Sequence, residues 1–527
     1  MPLPTGRQAS VPRFAGLPSS FPVSSTGQAY CGVLVGAIHA CTPKCSVSAR
    51  RHELPLRQDF ACLPKPWRRQ GRLASEHFWQ PASRVGVPAD RTWQARHLLY
   101  YYGTKRGIRM EEKKVLKGCR VLDLSGEIGF LCGKILGDLG ADVVKIEPPG
   151  GDPSRNIGPF YRDTPHPEKS LYWFAYNNNK RGITLNIETN DGRELFKRLV
   201  RTADVVIESF TPGTMDELGL GYPFLNRITD GKIVMTSITP FGQDGPYRNY
   251  KASDIGIMAM SGSMSLLGDP DRPPVRTSIP VSYMWTGSYA ALGTLIAFFH
   301  RQMTGEGQHV DVSAQASAAW SADTGPFYWE AEGTMPKRVG NAIAGRSIYG
   351  AKMRAAYPCE DGYICWLIYG ARAGGITNKE TVKWMDEKGM ATEWLKAQDW
   401  DKFDPAPATQ EDFDRMMEPV ANFLRGLNKK EFLEEAVKRR VMGYPVSTAK
   451  DIMENPQLQV RKVWQKIEHS ELGTKMTYPG PWTKMSESDC GIERRAPLIG
   501  EHNDEIYVKE LGLSENDLII LKQGGII

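Results

Sequence analysis

Residues 116–155 read LKGCRVLDLSGEIGFLCGKILGDLGADVVKIEPPGGDPSR, and this stretch decides the fold. Val121, Leu122 and Leu124 form an apolar strand that ends in a turn containing Gly126 and Gly129. A helical pattern follows, then a second strand from Val143 to Ile146, closed by Glu147 and the breaker run Pro148-Pro149-Gly150-Gly151. Strand, glycine loop, helix and strand in that order make a βαβ unit, because parallel strands need such a crossover. The glycine loop opens the helix, where unpaired backbone N–H groups and the helix dipole favour an anion such as phosphate. The first expectation is therefore a phosphate-bearing ligand at the carboxyl edge of a parallel sheet.

The same alternation continues downstream. Leu171 opens a short aromatic element, Asn177 to Lys180 reads as a polar turn, and Ile183 to Ile187 as a strand. Asp191 to Val200 sets Leu195, Leu199 and Val200 at helical spacing. Two more buried-looking strands, ADVVIESF from Ala203 and KIVMTSI from Lys232, are closed by Thr211-Pro212-Gly213 and Thr239-Pro240-Phe241-Gly242. Strands alternating with helices predict an α/β fold with a largely parallel sheet. Thr286 to Met303 is mostly apolar but too short and too polar at its ends to span a bilayer, so a buried core helix is expected. From about residue 345 to 440 the style changes to strand-like Tyr363 to Tyr369 and charged helices at Lys379 to Lys388 and Glu411 to Lys438. The α/β style returns at Gly443. The body then divides into 110–335, a smaller α+β domain over 345–440, and 441–527 returning to the large domain.

A chain of 527 residues is too long for one core. Its overall +6 charge is misleading, because residues 1–109 hold 16 of the 66 Lys and Arg but only 4 of the 60 Asp and Glu. The remainder is acidic by six charges and gives no electrostatic reason to bind nucleic acid. The front segment is rich in Pro, Ser and Arg, and its one apolar run, Cys31 to Ala40, is too short for a membrane. Met110 opens an ordinary-looking start, MEEKKVLKGCRVLDL, so residues 1–109 read as an extension translated from a misplaced start codon. Five cysteines fall in the body (Cys119, Cys132, Cys359, Cys365, Cys490) with no CxxC pair, and the nine histidines include no HExxH. They read as thiols of a reducing, cytoplasmic compartment, with no metal site.

Taken in order, LKGCRVLDLSG, LGADVVKIEPPGGDPSR, NNNKRGITLN, ADVVIESFTPGTMDELGLGY, TGEGQHVDVS and PLIGEHNDEIYVKELGL resemble class III CoA-transferases of the formyl-CoA and carnitine CoA-transferase type. The resemblance runs from about Leu116 to the C-terminus. It implies a large Rossmann-like domain built from both ends of the body, a small domain between, and two subunits interlocked as rings. It implies coenzyme A or acyl-CoA as substrate, a carboxylic acid as second partner, and no permanently bound cofactor. In the family, one aspartate attacks the thioester to give a mixed anhydride and free CoA thiolate. The thiolate then forms an aspartyl-CoA thioester that passes CoA to the acceptor acid.

Counting back without a gap from the His300-Arg301 helix end, the family aspartate falls on Tyr283, and there is no aspartate from Arg272 to His309. A phenol with a pKa near about 10 cannot run that cycle. Asp254, Asp269 and Asp271 lie nearby as alternative nucleophiles. The benzylsuccinate CoA-transferase type offers another explanation, being a heteromer in which one subunit carries the aspartate. This chain resembles the silent partner; a homomeric transferase, another acyl-CoA-processing enzyme and a non-enzymatic acyl-CoA binder are the alternatives.

Carried over position by position, the family's CoA contacts are Glu127, Ile128 and Gly129, Leu185 and Asn186, Ser209, Phe210 and Thr211, and Thr239, Pro240 and Phe241. Two arginine-type contacts of the family are replaced by Pro148 and Glu217. Lys180 and Arg181 either meet the 3′-phosphate or form a solvated turn. Gly340 to Gly345 is a lid or a plain linker, and Trp329, Trp366 and Tyr369 hint at an aromatic or bulky apolar acid. Apart from the resemblance, a nicotinamide dehydrogenase is the rival, with Glu147 placed as a ribose-binding acid. Its GxGxxG fingerprint is absent, the glycines running Gly126, Gly129, Gly133.

Overall fold

The computed structural model describes residues 114–527 except 323, so the extension expected over 1–109 and the start at Met110 lie outside the described residues. Six parallel strands form the central sheet: β1 (Arg120–Asp123), β2 (Asp142–Glu147), β3 (Lys180–Thr184), β4 (Val205–Glu208), β5 (Val234–Thr239) and β6 (His309–Ser313). Their order is β3-β2-β1-β4-β5-β6. β1 is the pivot: Val121 pairs with Val143 on one side and with Val205 on the other. Strands laid outward in both directions from one centre leave a crevice beyond the carboxyl ends of β1 and β4, where an open α/β sheet binds its ligand.

Each face of the sheet buries alternate residues. On one face Val121, Val143, Val205 and Val234 pack under helix α1 (Phe130–Asp138) and the 24-residue helix α2 (Val281–Thr304). The two helices approach closely at Gly287, where a Cβ would lie 2.7 Å from the Cβ of Leu131. On the other face Leu122, Val144, Ile183, Val206 and Met235 meet Leu195, Phe196 and Leu199 together with Ile506, Tyr507 and Leu518 from the C-terminal segment. That segment is tied to the end of β3: Asn186 N donates to Ile526 O at 2.7 Å, and the Tyr507 hydroxyl to Thr184 O at 2.8 Å.

A separate core lies around Tyr357, Trp366, Trp384, Phe413, Phe423 and Phe432. It is covered by an antiparallel sheet of Ala356–Cys359, Gly362–Trp366 and Gly443–Pro445 and by helices Ala371–Glu387, Gln410–Arg425 and Lys429–Arg439. The single helix expected over Glu411 to Lys438 is thus two. Asn428 caps the second, accepting from Glu431 N at 2.9 Å, and Gly426 ends the first. Trp366 belongs to this core, with Nε1 donating to Thr381 Oγ1 at 3.2 Å, so it does not line a substrate pocket. Gly340 to Gly345 contributes Ala342–Ile343 to a two-stranded ribbon with Met353–Arg354.

Two further expectations change. The strand expected at Ile183 to Ile187 sits three residues earlier, because Lys180 enters the sheet as a buried ion-pair partner rather than standing in a solvated turn. The expected core helix is buried on only one side. Tyr289, Leu292, Ile296, Phe299 and Met303 recur at alternating intervals of three and four along its outer side, and Phe299 is 67 % exposed. Arg301 near its end pairs with Asp204 at 2.7 Å, and Gly305 terminates it at φ 82°.

Candidate active-site cleft

The crevice at the β1/β4 switch point holds a cleft of about 290 Å³. Gly126, Glu127 and Ile128 reach it from the turn after β1, Ser209 to Pro212 from the turn after β4, and Pro240 from the end of β5. Tyr250, Lys251, Ala252 and Tyr283 close it. Gly126 N donates to Ser209 Oγ at 2.8 Å, which joins the first two turns. Asp254 Oδ1 accepts from Ser282 N at 3.1 Å and from Ser282 Oγ at 2.7 Å. It therefore caps α2 one residue before Tyr283 and fixes the segment carrying Lys251 beside it.

The Tyr283 phenol is half-buried, and burial, followed by the nearby Glu127 charge, pushes its pKa up to about 12. It is protonated throughout the neutral range. Glu127 is the one carboxyl group among the cleft's lining residues. Burial raises its pKa, opposed by the Tyr172 hydroxyl, which donates to Glu127 Oε1 at 3.0 Å. Asp254, Asp269 and Asp271 do not line the cleft: Asp254 is buried in its cap, and the other two are exposed.

Of the residues carried over from the family, Glu127, Ile128, Ser209, Phe210, Thr211, Pro240 and Tyr283 come together in this cleft. Gly129, Leu185, Asn186, Thr239 and Phe241 do not line it. Gly129 is needed for packing, since a Cβ there would lie 2.5 Å from that of Ser125. Leu185 is core, and Asn186 Oδ1 accepts from Glu188 N at 3.0 Å. Thr239 Oγ1 accepts from Gly242 N at 2.9 Å, and Phe241 packs edge-on against Tyr247 and Tyr250. Tyr172, Tyr250, Lys251 and Ala252 were invisible from periodicity because they lie in an irregular segment or a single short helix.

The basic residues near the sheet edge are mostly committed internally. Lys180 is fully buried, 2.8 Å from Asp123, and also donates to Phe130 O and Asn177 Oδ1. Arg181 bonds Asp142, Glu505 and Glu510. Neither forms a solvated turn, and neither is available for a 3′-phosphate. Arg155 holds Glu147 through two bonds of 2.6 and 2.7 Å and stacks on Trp173. Glu147 is therefore occupied and cannot hold a ribose as a dinucleotide-binding acid would.

Beside the cleft, Glu208 at the end of β4 faces a smaller cavity shared with Ser237 and His309, whose Oγ and Nε2 are 2.9 Å apart. Burial pushes Glu208 from 4.5 to about 7, although Ser237 and the Phe210 N–H favour its charged form. Because the folded value lies above the unfolded one, stability declines as pH rises from about 4.5 through 7. Glu208→Gln is expected to stabilise the protein at pH 8, by on the order of 2–3 kcal/mol, and to change little at pH 5. Thermal unfolding at the two pH values measures the difference.

Among the described residues no helix is long and apolar enough to cross a membrane, and no group of three metal-ligating side chains converges.

Comparison with known proteins agrees with this geometry. The sequence profile of CoA-transferase family III matches residues 116–503. The succinyl-CoA:(R)-benzylsuccinate CoA-transferase subunit BbsE of Thauera aromatica is 36 % identical over 398 residues, covering 74 % of this chain and 93 % of that protein. The succinyl-CoA–D-citramalate CoA-transferase of Chloroflexus aurantiacus is 31 % identical, covering 78 % of this chain and 98 % of its own. A CAIB/BAIF family protein from Brucella suis superposes with a TM-score of 0.64 at 28 % identity, covering 76 % of this chain and all of that one. A parallel sheet with its cleft at the switch point, and a profile match spanning nearly the whole described body, lead to one conclusion: the chain belongs to CoA-transferase family III.

Proposed function

We propose that this chain is the subunit without a nucleophile in a heteromeric CoA-transferase, and that a paralogue bearing the aspartate supplies the covalent step. The overall reaction moves CoA from a dicarboxylic acyl-CoA of the succinyl class to a free carboxylic acid. The observation that carries the proposal is Tyr283, a protonated phenol lining the cleft, at the residue on which the gap-free count sets the family's aspartate. The name of BbsE, itself a subunit, supports a heteromeric assembly. The exposed apolar side of α2 supports pairing with a second family subunit, as in an interlocked dimer. In this reading Glu127, Ile128, Ser209, Phe210, Thr211 and Pro240 surround the CoA chain, and the enzyme works in the cytoplasm.

A second reading rests on Glu127. Its carboxyl group lies in the same cleft, and burial makes it more basic than a surface glutamate. It could attack the thioester carbonyl, expelling CoA thiolate and forming a glutamyl mixed anhydride, with no help from a partner. One experiment separates the two. The purified chain is incubated with succinyl-CoA and benzylsuccinate or another free acid, alone and with an aspartate-bearing paralogue. Activity is expected only with the paralogue. Turnover by the chain alone that disappears in Glu127→Gln would instead establish the glutamate route.

A further inference from the structure

Glu208 closes β4, and the residues that follow it, Ser209 to Pro212, wall the cleft. Glu208 Oε2 accepts from Phe210 N at 2.7 Å, so this carboxyl grips the wall from below. Thr211 lines both the cleft and the cavity of about 190 Å³ that Glu208 faces, so the two spaces share one partition. Among the described residues no lysine or arginine lines that cavity. The titratable groups packed around Glu208 are Asp216 from the short helix Thr214–Glu217, Tyr222 from helix Tyr222–Ile228, and His309 and Asp311 from β6. Desolvation lowers the pKa of His309, stacked on the Tyr222 ring at 5.5 Å, and raises that of Tyr222, so both are neutral at pH 7 to 8. Asp216 and Asp311 are acids and oppose a charge on Glu208. Burial, with these two behind it, brings the Glu208 carboxyl to about 7, so near neutrality it exchanges a proton with nothing cationic beside it.

A CoA thioester brings several phosphate charges and, by filling the cleft, takes water from the far side of that partition. Both effects disfavour a negative charge on Glu208. The coupling is reciprocal: a ligand that draws a proton onto Glu208 binds best when the proton is already there. We propose that Glu208 is a positioning residue that links acyl-CoA binding to a proton: its neutral carboxyl holds the Phe210–Thr211 wall without setting a charge behind it, and its ionised form weakens the ligand. This rests on the reading of the cleft as an acyl-CoA site.

Isothermal titration of the purified chain with CoA at pH 5.5 and pH 8 tests it, comparing the wild type with Glu208→Gln. The glutamine keeps an oxygen to accept from Phe210 N and cannot ionise. The two proteins are expected to bind CoA equally at pH 5.5, where Glu208 is neutral. At pH 8 the variant should bind about 3- to 10-fold more tightly. Both meet the same ligand, so the titration of the CoA 3′-phosphate cancels from the comparison. At pH 7.5, repeats in buffers of unlike ionisation heat should show the wild type taking up more protons than the variant. A difference of the same size at both pH values would leave Glu208 a purely structural role and overturn the proposal, as would equal binding or tighter wild-type binding at pH 8. If the wild type binds CoA at neither pH, alone or assembled with an aspartate-bearing paralogue, the acyl-CoA reading itself fails, a result distinct from any effect of Glu208.

Discussion

Replacing Tyr283 by aspartate is expected to raise the CoA-transfer activity of the isolated chain well above that of the wild type. The substitution puts a carboxylate where a protonated phenol now sits, at the mouth of the glycine turn and beside the β4 and β5 turns that line the same cleft. A carboxylate can form the mixed anhydride with the acyl group and, after attack by the departing thiolate, the enzyme-bound CoA thioester. Transfer from succinyl-CoA to a free acid should rise on the order of 100-fold or more above the wild-type background. Borohydride or hydroxylamine trapping followed by mass spectrometry should find the modification on the new aspartate. An inert Tyr283→Asp chain, in an assay where an aspartate-bearing paralogue is active, would show that more than the nucleophile is missing. Nearby Glu127 will raise the new group's pKa above that of a free aspartate, so the activity should fall as the solution is acidified.

The second large effect concerns the floor beneath the glycine turn. Asp123 is fully buried at the end of β1, 2.8 Å from Lys180 and 4.0 Å from Lys145, both of which are also fully buried. Its side chain also accepts from Ser125 N at 2.9 Å and Ser125 Oγ at 2.6 Å, which shapes the turn itself. Burial alone would raise its pKa, but the charges of Lys180 and Lys145 outweigh burial and hold the carboxyl below its usual value. Asp123→Asn would leave the buried Lys180 ammonium without a counter-charge and Lys145 with only Asp152, 3.9 Å away. The cost is expected at about 3–5 kcal/mol, a large part of the 5–15 kcal/mol that typically holds a protein together. Urea unfolding should show a midpoint far below that of the wild type. The double variant Asp123→Asn with Lys180→Met should be less impaired than the single one, because it removes a stranded charge. The depressed folded value also fixes the pH response. This contribution is complete above the unfolded carboxylate value near about 3.9 and is lost as the solution is acidified through the lower folded value.

How much of this was legible in the residues differs from element to element. The strands around β1 were readable because parallel strands buried on both faces leave unbroken runs such as Val143-Val144 and Val205-Val206-Ile207. The expected start of β3 was misplaced because Lys180 and Arg181 look like turn residues, and only their distant carboxylate partners make them strand residues. The cleft's glycine-turn and strand-end residues could be anticipated, since a sheet of this kind binds ligands beyond its carboxyl edge. Lys251 and Tyr172 could not, because their place at the site depends on contacts across long stretches of chain: the Asp254–Ser282 clip and the Tyr172–Glu127 bond. Leu185, Asn186 and Thr239 were expected at the ligand, but each has a local structural task that explains its residue type.

The outer side of α2 has a consequence for the living cell rather than for chemistry. Tyr289, Leu292, Ile296, Phe299 and Met303 present a strip of hydrocarbon directly to water. Such a strip is adhesive until something covers it. Copies left with that strip bare would cling to one another or fall to proteases, so covering it becomes a condition of the chain's survival.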